Sequence, residues 1–202
     1  MKSDELLYRL RRIYAAVGLS EETDMSKLKP KITSDGKRVH VYQDFTGDMS
    51  DEELDNIVYS LVQNTANLHD HLKKWATKNG KDKSKVDETF RTSAALRIIY
   101  DLSNNEKHGY PPRGGGESGK SPRLGKITRI LQLTTASNKK SVTSMTLDPK
   151  GILKVSGSGS AKVITSAEIL DKDGNVIGDL RQTALEAIEA WEHLLSDFGI
   201  RA

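Results

Sequence analysis

The 202-residue chain has no cysteine, five prolines and only 5% aromatic residues. Without thiols there is no disulfide, no thiolate nucleophile and no cysteine-held metal. That fits a reducing compartment, and the expected location is cytoplasmic. No apolar run approaches the ~20 residues that span a bilayer. Met1-Lys2-Ser3-Asp4-Glu5 leads straight into an amphipathic pattern, without the basic and then apolar regions of a secretory signal. No membrane partner is expected. Charge of one sign is also scarce, because 31 Lys and Arg against 28 Asp and Glu leave a formal net of +3. That excess is too small to announce a nucleic-acid binder by itself. What the chain does contain, 36% apolar and 29% charged residues, is the composition of a globular domain large enough to bury a core.

Periodicity divides the chain into helical and extended parts. Ser3-Asp4 can cap a first helix with Leu6, Leu10, Ile13 and Val17 on one stripe and Gly18 as its stop. The stretch from Leu19 to Gly36 is polar and interrupted; Val39, Val41 and Phe45 then suggest a strand. Ser50-Asp51-Glu52-Glu53 is a capping box. It opens a long helix in which Leu54, Ile57, Val58, Leu61, Leu68, Leu72 and Trp75 recur until Asn79-Gly80. Ser84 opens a second, with Val86, Phe90, Ala94, Ile98 and Leu102 one turn apart, ending near His108-Gly109. A short Lys-rich connection between them predicts an antiparallel helical hairpin. Residues 109–125, rich in Gly and Pro, read as a flexible basic loop.

Alternating segments at 127–135, 142–147, 152–155 and 163–170 predict strands, separated by turns at 138–140, 148–151 and 157–160. Asp171-Lys172-Asp173-Gly174-Asn175 predicts a hairpin turn into Val176-Ile177. It lacks the ligand spacing of a calcium loop. Ala184, Ile188, Trp191, Leu195 and Phe198 form a last helical stripe stopped by Gly199. The expected class is α+β. A helical bundle over 1–109, with a short N-terminal extended segment, is followed by the loop at 110–125, an antiparallel meander over 126–178, and a C-terminal helix at 179–202 that packs back on the bundle.

Gly114-Gly-Gly-Glu-Ser-Gly-Lys120-Ser121 satisfies G-x-x-x-x-G-K-[ST]. A phosphate loop needs a buried strand before it and a helix after it, and the flanking sequence predicts neither. ATP is not expected at Gly114–Ser121. The five histidines are scattered, and neither a metal nor a cofactor is expected.

A polar stripe on the second long helix is more informative. At about 100° per residue with Arg97 at zero, Asp101 falls near 40°, Asn104 near −20° and His108 near 20°. The four share one face that ends at the helix C-terminus, where the dipole favours a cation. A His held there by an Asn or carboxylate can serve as a general acid or base near neutral pH. A structural reading of the same residues is an Arg97–Asp101 surface pair with His108 as a helix-end cap. The modest overall charge conceals two segments of net +5, at 73–85 and 107–129. Either could meet phosphates or be solvated helix ends.

The segment Leu96-Arg-Ile-Ile-Tyr-Asp-Leu-Ser-Asn-Asn-Glu-Lys-His-Gly109 resembles the R-x-x-x-D-[IL]-x-N-x-x-K-H stretch of a group of bacterial HEPN-like proteins. Asn64 to Leu72, with Asn67, His69 and Asp70, resembles the stretch that precedes it there. The likeness covers roughly residues 50–109. It implies a HEPN-like helical bundle with a small antiparallel β-sheet before the C-terminal helix, assembled as a homodimer. It also implies RNA as partner, with metal-independent endoribonuclease chemistry in which a 2′-hydroxyl attacks the adjacent phosphate. Carried over, His108 is the general acid/base, Asn104 its polar companion, Asp70 and Asp101 the supporting acids, and Arg97 the phosphate-stabilising cation. Lys73, Lys74, Lys107 and Arg113 would attract the nucleic-acid backbone. The arginine of the family's R-x(4–6)-H motif would stand at 101 to 103, where this chain has Asp101, Leu102 and Ser103. The alternative is a non-catalytic HEPN-like module for dimerisation or for nucleotide or protein binding.

Overall fold

A computed structural model describes residues 3–19, 21–22, 24, 31–34, 36, 39–43, 45, 49–111, 113–135, 142–148 and 152–200. The turn expected at 138–140, and residues 149–151 of the one expected at 148–151, lie outside the described residues. The fold is mixed α and β, with five helices and antiparallel sheets among those residues.

Helix α1 (Ser3–Leu19) buries the stripe anticipated from its sequence: Leu6, Leu10, Ile13 and Val17 are all within the core. Helix α2 (Asp51–Lys78) starts at the capping box, where the Ser50 amide donates to the Glu53 carboxylate at 2.8 Å and the Glu53 amide donates to the Ser50 hydroxyl at 3.3 Å. These bonds satisfy two otherwise free donors of the first turn.

The helix expected over 84–108 is two helices, α3 (Ser84–Thr92) and α4 (Ala94–His108). The break falls at Ser93. Its backbone is extended, with φ −85° and ψ 114°, and its hydroxyl accepts from the Leu96 amide, so Ser93 ends one helix and caps the next. Apolar periodicity runs through the junction because Phe90 and Ile98 still face the same core.

The sheet departs from a meander. Strand β7 (Ser160–Leu170) is central and pairs with β4 (Arg123–Thr134) from Arg123 opposite Leu170 to Thr134 opposite Ser160. On its other edge lie β1 (Glu21–Glu22) and β8 (Val176–Asp179). The chain between β4 and β7 forms a separate two-stranded ribbon, β5 (Thr143–Leu147) with β6 (Leu153–Gly157). A further ribbon pairs β2 (Lys31–Ser34), in a stretch read as irregular, with β3 (Val39–Tyr42). Burial explains which strand is central. Residues 163 to 167 of β7 are buried without interruption, so both its faces are covered, whereas β4 alternates. The turn into β8 forms as expected, with one Asp171 carboxylate oxygen accepting from the amides of Asp173 and Asn175 and Gly174 at φ 85°.

One core joins residues from α1 to α5 with Ala167 and Ile169 of β7. Helix α5 (Leu180–Asp197) carries Trp191, fully buried, back onto the bundle. No helix among the described residues is long and apolar enough to cross a membrane.

Candidate functional site

The C-terminal half of α4 and the glycine-rich loop build a single unit. Asp101 is 2% exposed, and a carboxylate taken that far from water needs donors. They come from the loop: the Glu117 amide donates to Oδ1 and the Ser118 amide to Oδ2, each at 2.8 Å. The loop approaches closely because residue 116 is glycine. A Cβ there would lie 2.5 Å from the Asp101 carboxylate, and the backbone has φ +75°. Turn bonds from Gly119 to the Gly116 carbonyl and from Ser121 to the Gly115 carbonyl close the loop, and the Asn105 side chain donates to the Pro122 carbonyl at 2.6 Å.

The segment read as a flexible linker is thus pinned to α4. The amides of its phosphate-loop-like motif cradle an anion as such loops do, but the anion is the chain's own Asp101. This carboxylate, expected to support catalysis, is held by the loop amides and lines the same cleft as Asn104 and His108.

Beside it lies a cleft of about 330 Å³ lined by Asp101, Asn104, Asn105, His108, Gly109, Gly116 and Glu117. Asn104 and His108 therefore do share a site. His108 is exposed in the last turn of α4, before Gly109, whose amide donates to the Asn105 carbonyl at 2.8 Å. Glu117 lines the same cleft as His108. Sequence reasoning missed Glu117 because it sits inside the loop read as a linker; its signal was its place in the Gly-rich motif.

Other expected members stand elsewhere. Arg97 is three turns back along α4, about 16 Å from His108 at 1.5 Å per residue. It does not line the cleft, and its Nε is buried without a partner among the described residues. Asp70, Lys73 and Lys74 lie toward the other end of the antiparallel hairpin. Tyr59 of α2 is the residue beside Glu106, and its pKa is raised by burial and by Glu106 and Asp55. Residues 70 to 74 are about 16 to 22 Å further along that helix. Lys73 is ion-paired with Asp87 of α3 at 2.8 Å, while Lys74 is exposed. Lys107 is exposed near the cleft, and the side chain of Arg113 lies outside the described residues.

What Asp70 and Lys73 surround instead is His69. Its ring stacks on Phe90 with centroids 4.6 Å apart and on Trp191 at 6.0 Å, with Tyr100 edge-on at 6.2 Å. Asp87 is 3.4 Å from Nε2 and Asp70 is 3.7 Å from Nδ1. Burial lowers the His69 pKa below its ordinary value, against the opposing pull of the two carboxylates. The spacing of four elements in sequence carried no sign of this cage.

Comparison with protein-family models, with curated proteins and with solved structures finds no match to this chain.

Proposed function

We propose that the protein binds RNA at the cleft between the end of α4 and the glycine-rich loop, and cleaves it without a metal, with His108 as general acid/base. The observation that carries this reading is the placement of Asn104 and His108 on one open cleft, lined also by Glu117, against a loop bonded to Asp101. Cleavage of this class needs one group to take the proton of the 2′-hydroxyl and another to protonate the departing 5′-oxygen. His108 and Glu117 are the pair able to do so, and Asn104 orients the imidazole or a phosphate oxygen. Lys107 and Lys120, both exposed, supply charge for the phosphate backbone. The resemblance of residues 50–109 to HEPN-like proteins supports the same chemistry and a homodimeric assembly.

One observation favours a second reading, a non-catalytic HEPN-like binding module. The described lining of the cleft holds no Lys or Arg to stabilise charge on a pentacoordinate phosphate. His108→Ala separates the two. On the catalytic reading, single-stranded RNA is cut in EDTA by the wild type, and the variant loses at least about a hundredfold in rate while binding RNA and unfolding as before. Retained binding with no cleavage by either protein selects the binding module. Absence of RNA binding by the wild type sinks the catalytic reading and leaves the module for dimerisation or for nucleotide or protein binding, which a dimer lost on His108 or Asn104 substitution would support.

A further inference from the structure

A second polar site lies between α1 and α2, away from the α4 cleft. It is a small pocket of about 80 Å³ lined by Arg9 and Arg12 of α1 and by Asn64, Asn67, Leu68 and His71 of α2. The spacing explains the convergence. Positions 9 and 12 are one turn apart on α1, and 64, 67 and 71 follow one stripe of α2. The apolar residues of both helices, among them Leu6, Leu10, Val58 and Leu61, turn to the core and leave this edge polar.

Every polar side chain there can donate a hydrogen bond. Arg9 Nη1 is 2.8 Å from His71 Nε2. A guanidinium has no acceptor, so Nε2 accepts and the imidazole carries its proton on Nδ1. Burial, together with the positive charges of Arg9 and Lys74, lowers the His71 pKa against the opposing influence of Asp70 and Glu5. Arg9 Nη2 is held by Glu5 at 3.3 Å. These two contacts fix the guanidinium plane, while Arg9 Nε is buried and has no partner among the described residues. Arg12 is exposed and has no ion pair among them. A guanidinium fixed by His71 and Glu5, a second one exposed beside it, and two carboxamides make a donor-rich seat.

We propose that this α1–α2 pocket binds a phosphate group. Four donor side chains suit a tetrahedral oxyanion with several acceptor oxygens, and arginine pairs with such oxygens two at a time. The volume sets the limit on the ligand. It is well below the roughly 300 Å³ at which sites for whole small molecules begin, so a free phosphate or the terminal phosphomonoester of a nucleotide enters, and anything attached to it remains outside. The inference is independent of the His108 cleft.

Calorimetric titration of the full chain with inorganic phosphate, at ionic strength held constant with chloride, tests it. Saturable one-site binding is expected for the wild type. Arg12→Gln and Asn67→Leu, both at solvent-facing positions, are expected to weaken it about tenfold or more, with unchanged thermal unfolding in phosphate-free buffer. His108→Ala is expected to leave it unchanged. Adenosine monophosphate in place of phosphate identifies the source: equal affinity assigns the free anion, and tighter binding that Arg12→Gln removes assigns a phosphomonoester end. No saturable binding by the wild type, equal binding by Arg12→Gln and Asn67→Leu, loss on His108→Ala, or binding of adenosine itself would each overturn the proposal.

Discussion

Asp101 and Gly116 form a matched pair, in which a buried charge requires amides close by and the amides come close only where no Cβ intervenes. Asp101→Ala removes the acceptor of two part-buried loop amides, and a hydrogen bond to a charged group contributes about 1.5–3 kcal/mol. A loss of about 1–3 kcal/mol in urea unfolding is expected, with faster proteolysis between residues 113 and 121. Gly116→Ala should act in the same direction by pushing the loop off the carboxylate. Had the segment been a free linker, both would be silent. His69 gives a pH prediction. Its folded pKa is lowered from 6.5, so the unfolded chain binds the extra proton first and the stabilisation present above about 6.5 is lost as pH falls through the folded value. His71 shifts the same way. Replacing His69 with Phe keeps a ring against Phe90 and Trp191 and removes one of the two contributions. The fall in stability from pH 7 to pH 5 should therefore be smaller in His69→Phe than in the wild type, and an equal fall would refute the assignment.

Among the elements, α2 was the most legible, because its cap, its apolar stripe and its Asn79-Gly80 exit all lie in local sequence. Ser50→Ala breaks both bonds of the capping box and should cost about 1 kcal/mol, within the usual 0.5–2, measured as a shift of the denaturation midpoint without change in slope. The α3–α4 junction was not legible. Serine in mid-helix and serine as a cap read alike, and the apolar period crosses the break undisturbed. Strands at 127–135, 142–147, 152–155 and 163–170 followed from alternation, although β4 begins at Arg123, inside the stretch read as loop, and β7 at Ser160, yet their partners did not. Alternation reports which side of a strand is buried and is silent about the strand beside it. The four-residue α4 stripe was correctly placed on one face, but a shared face is not a shared site. Asp101 accepts from the loop amides while still lining the cleft with Asn104 and His108, and it is Arg97 that is too far up the helix to join them.

For the molecule as a whole, the core is built by joining distant parts of the chain: α5 and the central strand β7 close over the first four helices. The β5–β6 ribbon contributes instead to a smaller cluster around Leu153, Ala161 and Val163. Thr134 and Ser160 are directly paired, so an Asn-Gly turn in place of residues 135–159 should join β4 to β7 in register. The shortened protein should keep its helical circular dichroism and a single cooperative transition at a lower midpoint; loss of cooperativity would show that the ribbon belongs to the main core. Sequence by itself determined the α+β class, the start and end of α2, the buried stripes of α1 and α5 and the Asp171 turn, since each depends on residues a few positions apart and on periods of 3.6 or 2. Only the tertiary structure decided that Asp101 anchors the glycine-rich loop, that Glu117 lines one cleft with His108, that His69 is caged by three other elements, and that Arg9 and Arg12 meet Asn64, Asn67 and His71. Those meetings depend on how whole elements pack, and no local spacing records the direction from which a distant side chain arrives.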